Sequence, residues 1–152
     1  MDSFLLSDEI SEQNCQLIYN KFNYMFFFGK LPGCEHIKFI LEDMGEDSMG
    51  CTYINDRNGY TSPISHAYPK NFYYVIKLNN KCITNTEQLF EVICHEMIHI
   101  WQWEEIDFSK YSGDYSWING HNKTFIAKMN AINLKAKTDY DLKLNVKLVY
   151  SE

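Results

Sequence analysis

The stretch TNTEQLFEVICHEMIHIWQW, residues 84–103, carries the strongest periodic signal in the chain, and its second half, CHEMIHIWQW (94–103), sets two histidines four residues apart with a glutamate directly after the first. Leu89, Ile93, Met97, Ile100 and Trp101 recur at three- and four-residue steps, the spacing of an apolar helix stripe, and as core residues they need no other explanation. Thr84 followed three residues later by Glu87 reads as a capping box at the start. Val92, His95, Glu96, His99 and Gln102 form the neighbouring stripe, so the polar residues share a face of their own.

Side chains at i and i+4 leave a helix on the same side with β-carbons roughly 5–6 Å apart, so His95 and His99 can aim ring nitrogens at one metal ion. Glu96 projects beside them, where a carboxylate can take a proton from a water in an open metal position. This is the H-E-x-x-H arrangement of zinc-dependent peptidases. Zinc lowers the pKa of the water toward about 7 and polarises the scissile carbonyl, and the carboxylate passes the proton to the leaving amine. A third nitrogen must come from His36, His66 or His121, unless a carboxylate serves instead. His36 stands at the mouth of a strand just after Pro32-Gly33, and His66 stands in the loop SPISHAYP. His121 is preferred: it follows Gly120 at the start of a second helix, with Phe125 four residues on to turn the same face inward.

The remaining elements surround this helix. A first helix is expected from about Asp8 to Phe28, with Ile10, Cys15, Leu17, Ile18, Phe22 and Met25 inward, Ser7 as cap, and an end at Leu31-Pro32-Gly33. Strands are expected at HIKFIL (36–41), CTYI (51–54) and FYYVIKLN (72–79), the last also a candidate rim for an extended substrate. DRNGYTSPISHAYP reads as a loop or irregular hairpin, and Glu104–Gly120 as a long polar and aromatic loop. A helix through HNKTFIAKMNAINLKA buries Phe125, Met129 and Ile132. In the tail, Leu142, Leu144, Val146 and Leu148 alternate with Lys143, Asn145 and Lys147, which predicts a closing strand. The expectation is one α+β domain over residues 1–152, with a small mixed or antiparallel sheet packed on the N-terminal helix and the H-E-x-x-H helix.

Composition narrows the function. The 152 residues are 45 % hydrophobic, as one globular core requires, and no apolar run approaches the roughly 18 residues that cross a bilayer. MDSFLLSDEI carries acids where a secretory signal carries lysine or arginine, so a soluble intracellular protein is expected. Cys15, Cys34, Cys51, Cys82 and Cys94 are odd in number and scattered, which fits reduced thiols in cytoplasm or nucleus and provides no C-terminal zinc ribbon. A net charge of −6 argues against a general polyanion binder. Yet residues 122–152 hold six lysines against three acids, whereas residues 1–60 hold four bases against ten acids. At most weak, salt-sensitive contact with single-stranded DNA through Lys135, Lys137, Lys143 and Lys147 is expected.

CHEMIHIWQW followed by GHNKTFIAKMNAIN resembles the SprT-like zinc metalloproteases, the family of the Spartan protease domain. Their signature is an H-E-M-x-H helix, then Gly-His before a helix with an aromatic residue four positions on and an M-x-x-I-N-like ending. The upstream order is similar too, through the Leu-Pro turn of FFFGKLPG, the Gly-x-x-Tyr of GCTY and the I-x-L-N of IKLNN, so the resemblance spans roughly residues 16–150. It implies a zincin-like domain with His95, His99 and His121 as Zn2+ ligands and Glu96 as catalytic base. It also implies cleavage of protein substrates bound or crosslinked to DNA, as in DNA-protein crosslink repair, with DNA as activator. The sequence departs from the pattern at Asn122, where the family has glycine, and in the extended loop before His121. Abundant asparagine and lysine suit an A/T-rich, viral or reduced genome. The alternative class is a non-catalytic module, stabilised by metal, that binds DNA or a protein; Glu96 has no purpose there.

Overall fold

The structure, a computed structural model, describes residues 10–46, 48–55, 68–105, 121 and 123–148. Ser7, His66 and most of the Glu104–Gly120 loop lie outside the described residues.

Helix α1 (Glu12–Phe27) begins after Ser11, not Ser7, because the Ser11 hydroxyl accepts the Asn14 N–H at 3.1 Å and satisfies an otherwise orphaned amide of the first turn. It buries Cys15, Ile18, Tyr19 and Phe22, while Leu17 is 48 % exposed and drops out of the expected stripe. The helix closes at Phe28 (φ 56°) and Gly29 (φ 71°), where the Gly29 N–H reaches Asn23 O at 2.8 Å, a few residues before Leu31-Pro32-Gly33. Asn23 then pairs both backbone groups of Leu31 through its side-chain amide, each at 3.1 Å.

Three strands follow: β1 (Ile37–Glu42), β2 (Gly50–Ile54) and β3 (Tyr74–Asn79). They form one mixed sheet in the order β1-β3-β2, with β1 parallel and β2 antiparallel to β3. Hence FYYVIKLN is not a rim. Both edges of β3 are occupied, and Tyr74, Val75, Ile76 and Leu78 are fully buried, while Phe72 and Tyr73 before them are half-buried. Of the two outer strands, β1 packs against α1 and β2 against α2.

One face of the sheet receives α1 and α2 (Thr86–Glu105): Phe39 meets Tyr19 edge-on, Phe22 meets Phe90, and Tyr74 Oη donates to Glu104 Oε2 at 2.5 Å. Gly50 explains how closely α2 approaches. A β-carbon there would stand 3.0 Å from Lys77 O and 3.0 Å from Val92 Cγ1. Behind β3, Asn79 is fully buried and its amide donates to Gly45 O and Ser48 O at 2.8 and 2.6 Å, tying the β1–β2 connection to the sheet.

Helix α3 (Lys123–Asp139) packs on α2 through Phe125 and Ile132. The tail does not form the expected strand: residues 141–147 have no regular secondary structure. The alternation survives as burial, since Leu144 and Val146 are inside and Lys143, Asn145 and Lys147 outside. Alternation reports one buried face and not the identity of the hydrogen-bond partner. Here the partner is a side chain, because Asn133 on α3 accepts the Val146 N–H at 2.8 Å and donates to Val146 O at 3.0 Å. Among the described residues no helix is long and apolar enough to cross a membrane.

Gly50→Ala is expected to force α2 off the sheet and to destabilise the protein by about 1–3 kcal/mol, the usual cost of overpacking. Urea denaturation measures it; a midpoint equal to that of the unsubstituted protein contradicts the close-approach explanation.

Candidate metal centre

α2 is held on its apolar side by Leu89, Ile93, Met97 and Ile100, all at or below 1 % exposure. Its cap lies one residue beyond the expected pair. Asn85 Oδ1 accepts the Gln88 N–H at 2.9 Å, and Gln88 Oε1 reaches back to the Thr84 N–H at 2.8 Å. The same polar-x-x-amide spacing is thus satisfied by Asn85 and Gln88, which leaves Glu87 outward beside Lys143 at 3.7 Å.

The second face of α2 is buried as well, although it carries Glu91, His95, Glu96 and Gln102. His95 and His99 project from successive turns, and His121, just before α3, reaches them across the interhelix space. Their ring centroids stand 5.2 Å (His95–His99), 4.9 Å (His95–His121) and 5.3 Å (His99–His121) apart. One ligand atom from each lies within 4.8 Å of the others, an arrangement that can hold a metal ion. Phe125 wedges beneath all three, its ring centroid 4.8 Å from each imidazole and the side chain fully buried. The apolar floor orients the rings.

The hydrogen bonds determine which nitrogens face inward. His95 Nδ1 lies 2.8 Å from the backbone carbonyl of Lys147, which can only accept, so Nδ1 carries the proton and Nε2 presents a lone pair. His99 Nδ1 lies 3.0 Å from Gln102 Oε1, while Gln102 Nε2 donates to Thr124 Oγ1 at 2.9 Å, which imposes the same tautomer on His99. His95 Nε2 and His121 Nε2 approach to 3.1 Å. Burial pushes His95 down to about 3 and His99 to about 4, with their mutual proximity adding to the effect on His95, and burial lowers His121 as well. Neutral imidazoles, with His95 and His99 each backed by an acceptor on the far nitrogen so that a lone pair faces inward, suit a borderline divalent cation.

Glu96 sits beside this cluster, 4 % exposed, with Oε2 4.0 Å from His95 Nε2. Oε1 accepts the hydroxyl of Thr52 on β2 at 2.7 Å. Burial raises the carboxyl to about 7, and the Thr52 hydrogen bond pulls in the opposite direction. A carboxyl poised there can exchange a proton near neutral pH.

His36 lies elsewhere, stacked on Tyr73 at 4.1 Å and bonded through Nδ1 to Asn71 O at 2.8 Å. Thr52, Thr124, Asn133 and the Lys147 carbonyl were not identifiable from the sequence as parts of the site. Only Gln102 had a signal, its place on the histidine stripe.

A sequence model of the SprT-like family matches residues 15–147. No curated protein matches the chain.

Phe125→Ala removes the floor under three rings, and the cavity is expected to cost about 3–5 kcal/mol of stability. Chemical denaturation of the metal-free protein checks this, and a loss under about 1 kcal/mol would mean that the ring carries little of the packing.

Proposed function

The chain belongs to the SprT-like family, and on that premise we propose that it is a zincin-like zinc endopeptidase. Zn2+ would be held by His95, His99 and His121, and Glu96 acts as general base and acid. One observation carries the reading: a buried carboxylate lies at the edge of three convergent imidazoles, one oxygen tethered by Thr52 and the other turned to the cluster. A purely structural metal site has no use for that carboxylate.

Zinc in this position supplies Lewis acidity, which polarises a peptide carbonyl and makes water acidic enough to attack near neutral pH. The chain's own residues do the rest. Glu96 takes the water's proton on Oε2 and delivers it to the departing amine, and Thr52 keeps the other oxygen occupied so that the carboxylate does not rotate away. Phe125 and the packed helices keep solvent from the far side of the rings. β2 is the strand beside Glu96, and its outer edge, unpaired among the described residues, offers backbone groups to an extended substrate.

The substrates proposed are unfolded or loosely held protein segments, including proteins attached to DNA, which rests on the family likeness. The lysine-rich C-terminal region provides a modest electrostatic contact for single-stranded DNA. Two of its lysines already face acids, Lys143 toward Glu87 at 3.7 Å and Lys147 toward Glu91 at 3.9 Å. Lys135 stands 4.6 Å over the exposed ring of Phe28, so Lys135 and Lys137 are the better candidates for phosphate. Five cysteines without a disulfide fit a reducing compartment, cytoplasm or nucleus.

Glu96→Gln should retain zinc while lowering proteolysis of a denatured or DNA-crosslinked protein at least about 10²-fold; undiminished turnover would reject the mechanism. Chelation should abolish cleavage and added zinc should restore it. Lys135→Glu with Lys137→Glu should weaken single-stranded DNA binding and flatten its salt dependence, measured by fluorescence anisotropy at several salt concentrations. Unchanged binding removes those lysines from the contact.

A further inference from the structure

The asparagine that ends the MNAIN stretch, Asn133, lies on α3 and is spent on the backbone of the tail. Its amide makes both hydrogen bonds that a neighbouring strand would offer Val146. The next residue, Lys147, turns its carbonyl onto His95 Nδ1 at 2.8 Å. The same few residues also face α2, where Glu91 Oε1 lies 3.9 Å from Lys147 Nζ. Leu144 and Val146 fill the space below, so the segment is clamped from two helices and from the core.

We propose that Asn133 is a positioning residue of the metal centre: by holding residues 145–147 extended it fixes the Lys147 carbonyl against His95, which locks that imidazole with Nε2 toward the ion. The inference rests on the metal-binding reading of the three histidines. A histidine ligand whose far nitrogen is bonded to a fixed acceptor is held in one tautomer and ring orientation, and losing such a partner typically costs 10–100-fold in metal affinity. His99 has its own lock in Gln102 and Thr124, anchored within α2 and at the start of α3. For His95 that role falls to a backbone carbonyl, that of Lys147. The carbonyl that serves it comes from 52 residues further along the chain, and a backbone group on an irregular segment is only as well placed as what holds the segment. The Asn133 amide supplies that hold in place of a sheet.

Two measurements on the full chain test the inference. In the unsubstituted zinc-free protein, long-range ¹H–¹⁵N spectra of the imidazoles should show the His95 proton on Nδ1, and in Asn133→Ala that preference should be lost while His99 keeps its own. Competition with a chromophoric chelator should show zinc bound about 10–100-fold more weakly by folded Asn133→Ala. A merely structural role would lower the melting temperature and leave tautomer and affinity unmoved. Zinc affinity within about threefold of the unsubstituted protein, or a His95 proton found on Nε2, overturns the inference. If Asn133→Ala does not fold, the spectrum of the unsubstituted chain still decides through the position of that proton. Failure of the unsubstituted protein to bind zinc at all would instead sink the metal reading, and the tautomer spectra would still judge the lock.

Discussion

Burial of the middle turns of α2 on every side, from Leu89 to Ile100, is the constraint from which the rest of the structure follows. A helix enclosed by a sheet and two other helices can be apolar throughout at no electrostatic cost, yet this one carries Glu91, His95, Glu96 and Gln102 inside. Each unpaired polar group in such a place costs on the order of 1–3 kcal/mol, more if charged. The fold therefore supplies partners from every neighbour: Thr52 from the sheet, Thr124 from α3, and the carbonyl and ammonium of Lys147 from the tail. The site is the set of these satisfied groups.

The partners do more than cancel a penalty. Acceptors on the outer nitrogens of His95 and His99 leave the inner nitrogens unprotonated, and burial keeps both rings neutral. Desolvation dominates at Glu96, and a hydroxyl rather than a counter-charge tethers it. A salt-bridged carboxylate would have been a weaker base. The same packing thus separates three neutral donors from one carboxyl that ionises near neutrality.

Among the described residues, a three-stranded sheet leaves several segments without a strand partner, and asparagine fills the gap. Asn23 pairs with Leu31, Asn79 gathers the β1–β2 connection, Asn55 donates to Pro69 O and Phe72 O, and Asn133 pairs with Val146. A side-chain amide carries an acceptor oxygen and two N–H donors, so it can gather two carbonyls, as Asn79 and Asn55 do, or pair with both backbone groups of one residue in place of a strand, as Asn23 and Asn133 do. The abundance of asparagine, legible in the sequence only as a compositional bias, has structural uses here.

The sequence by itself determined the α+β class, the three strand positions to within a residue or two, and the shared face of His95, Glu96 and His99, because periodicity and i,i+4 spacing depend only on local backbone geometry. His121 could be preferred through Phe125 for the same reason. It did not determine that β3 is central, that the tail's alternation serves an irregular segment, or that Thr52 and the Lys147 carbonyl reach the site. Those contacts join residues 44 and 52 positions apart, and local spacing carries no information about the register or path that brings them together. Only the packed tertiary structure decides which of several chemically equivalent acceptors arrives at a buried donor.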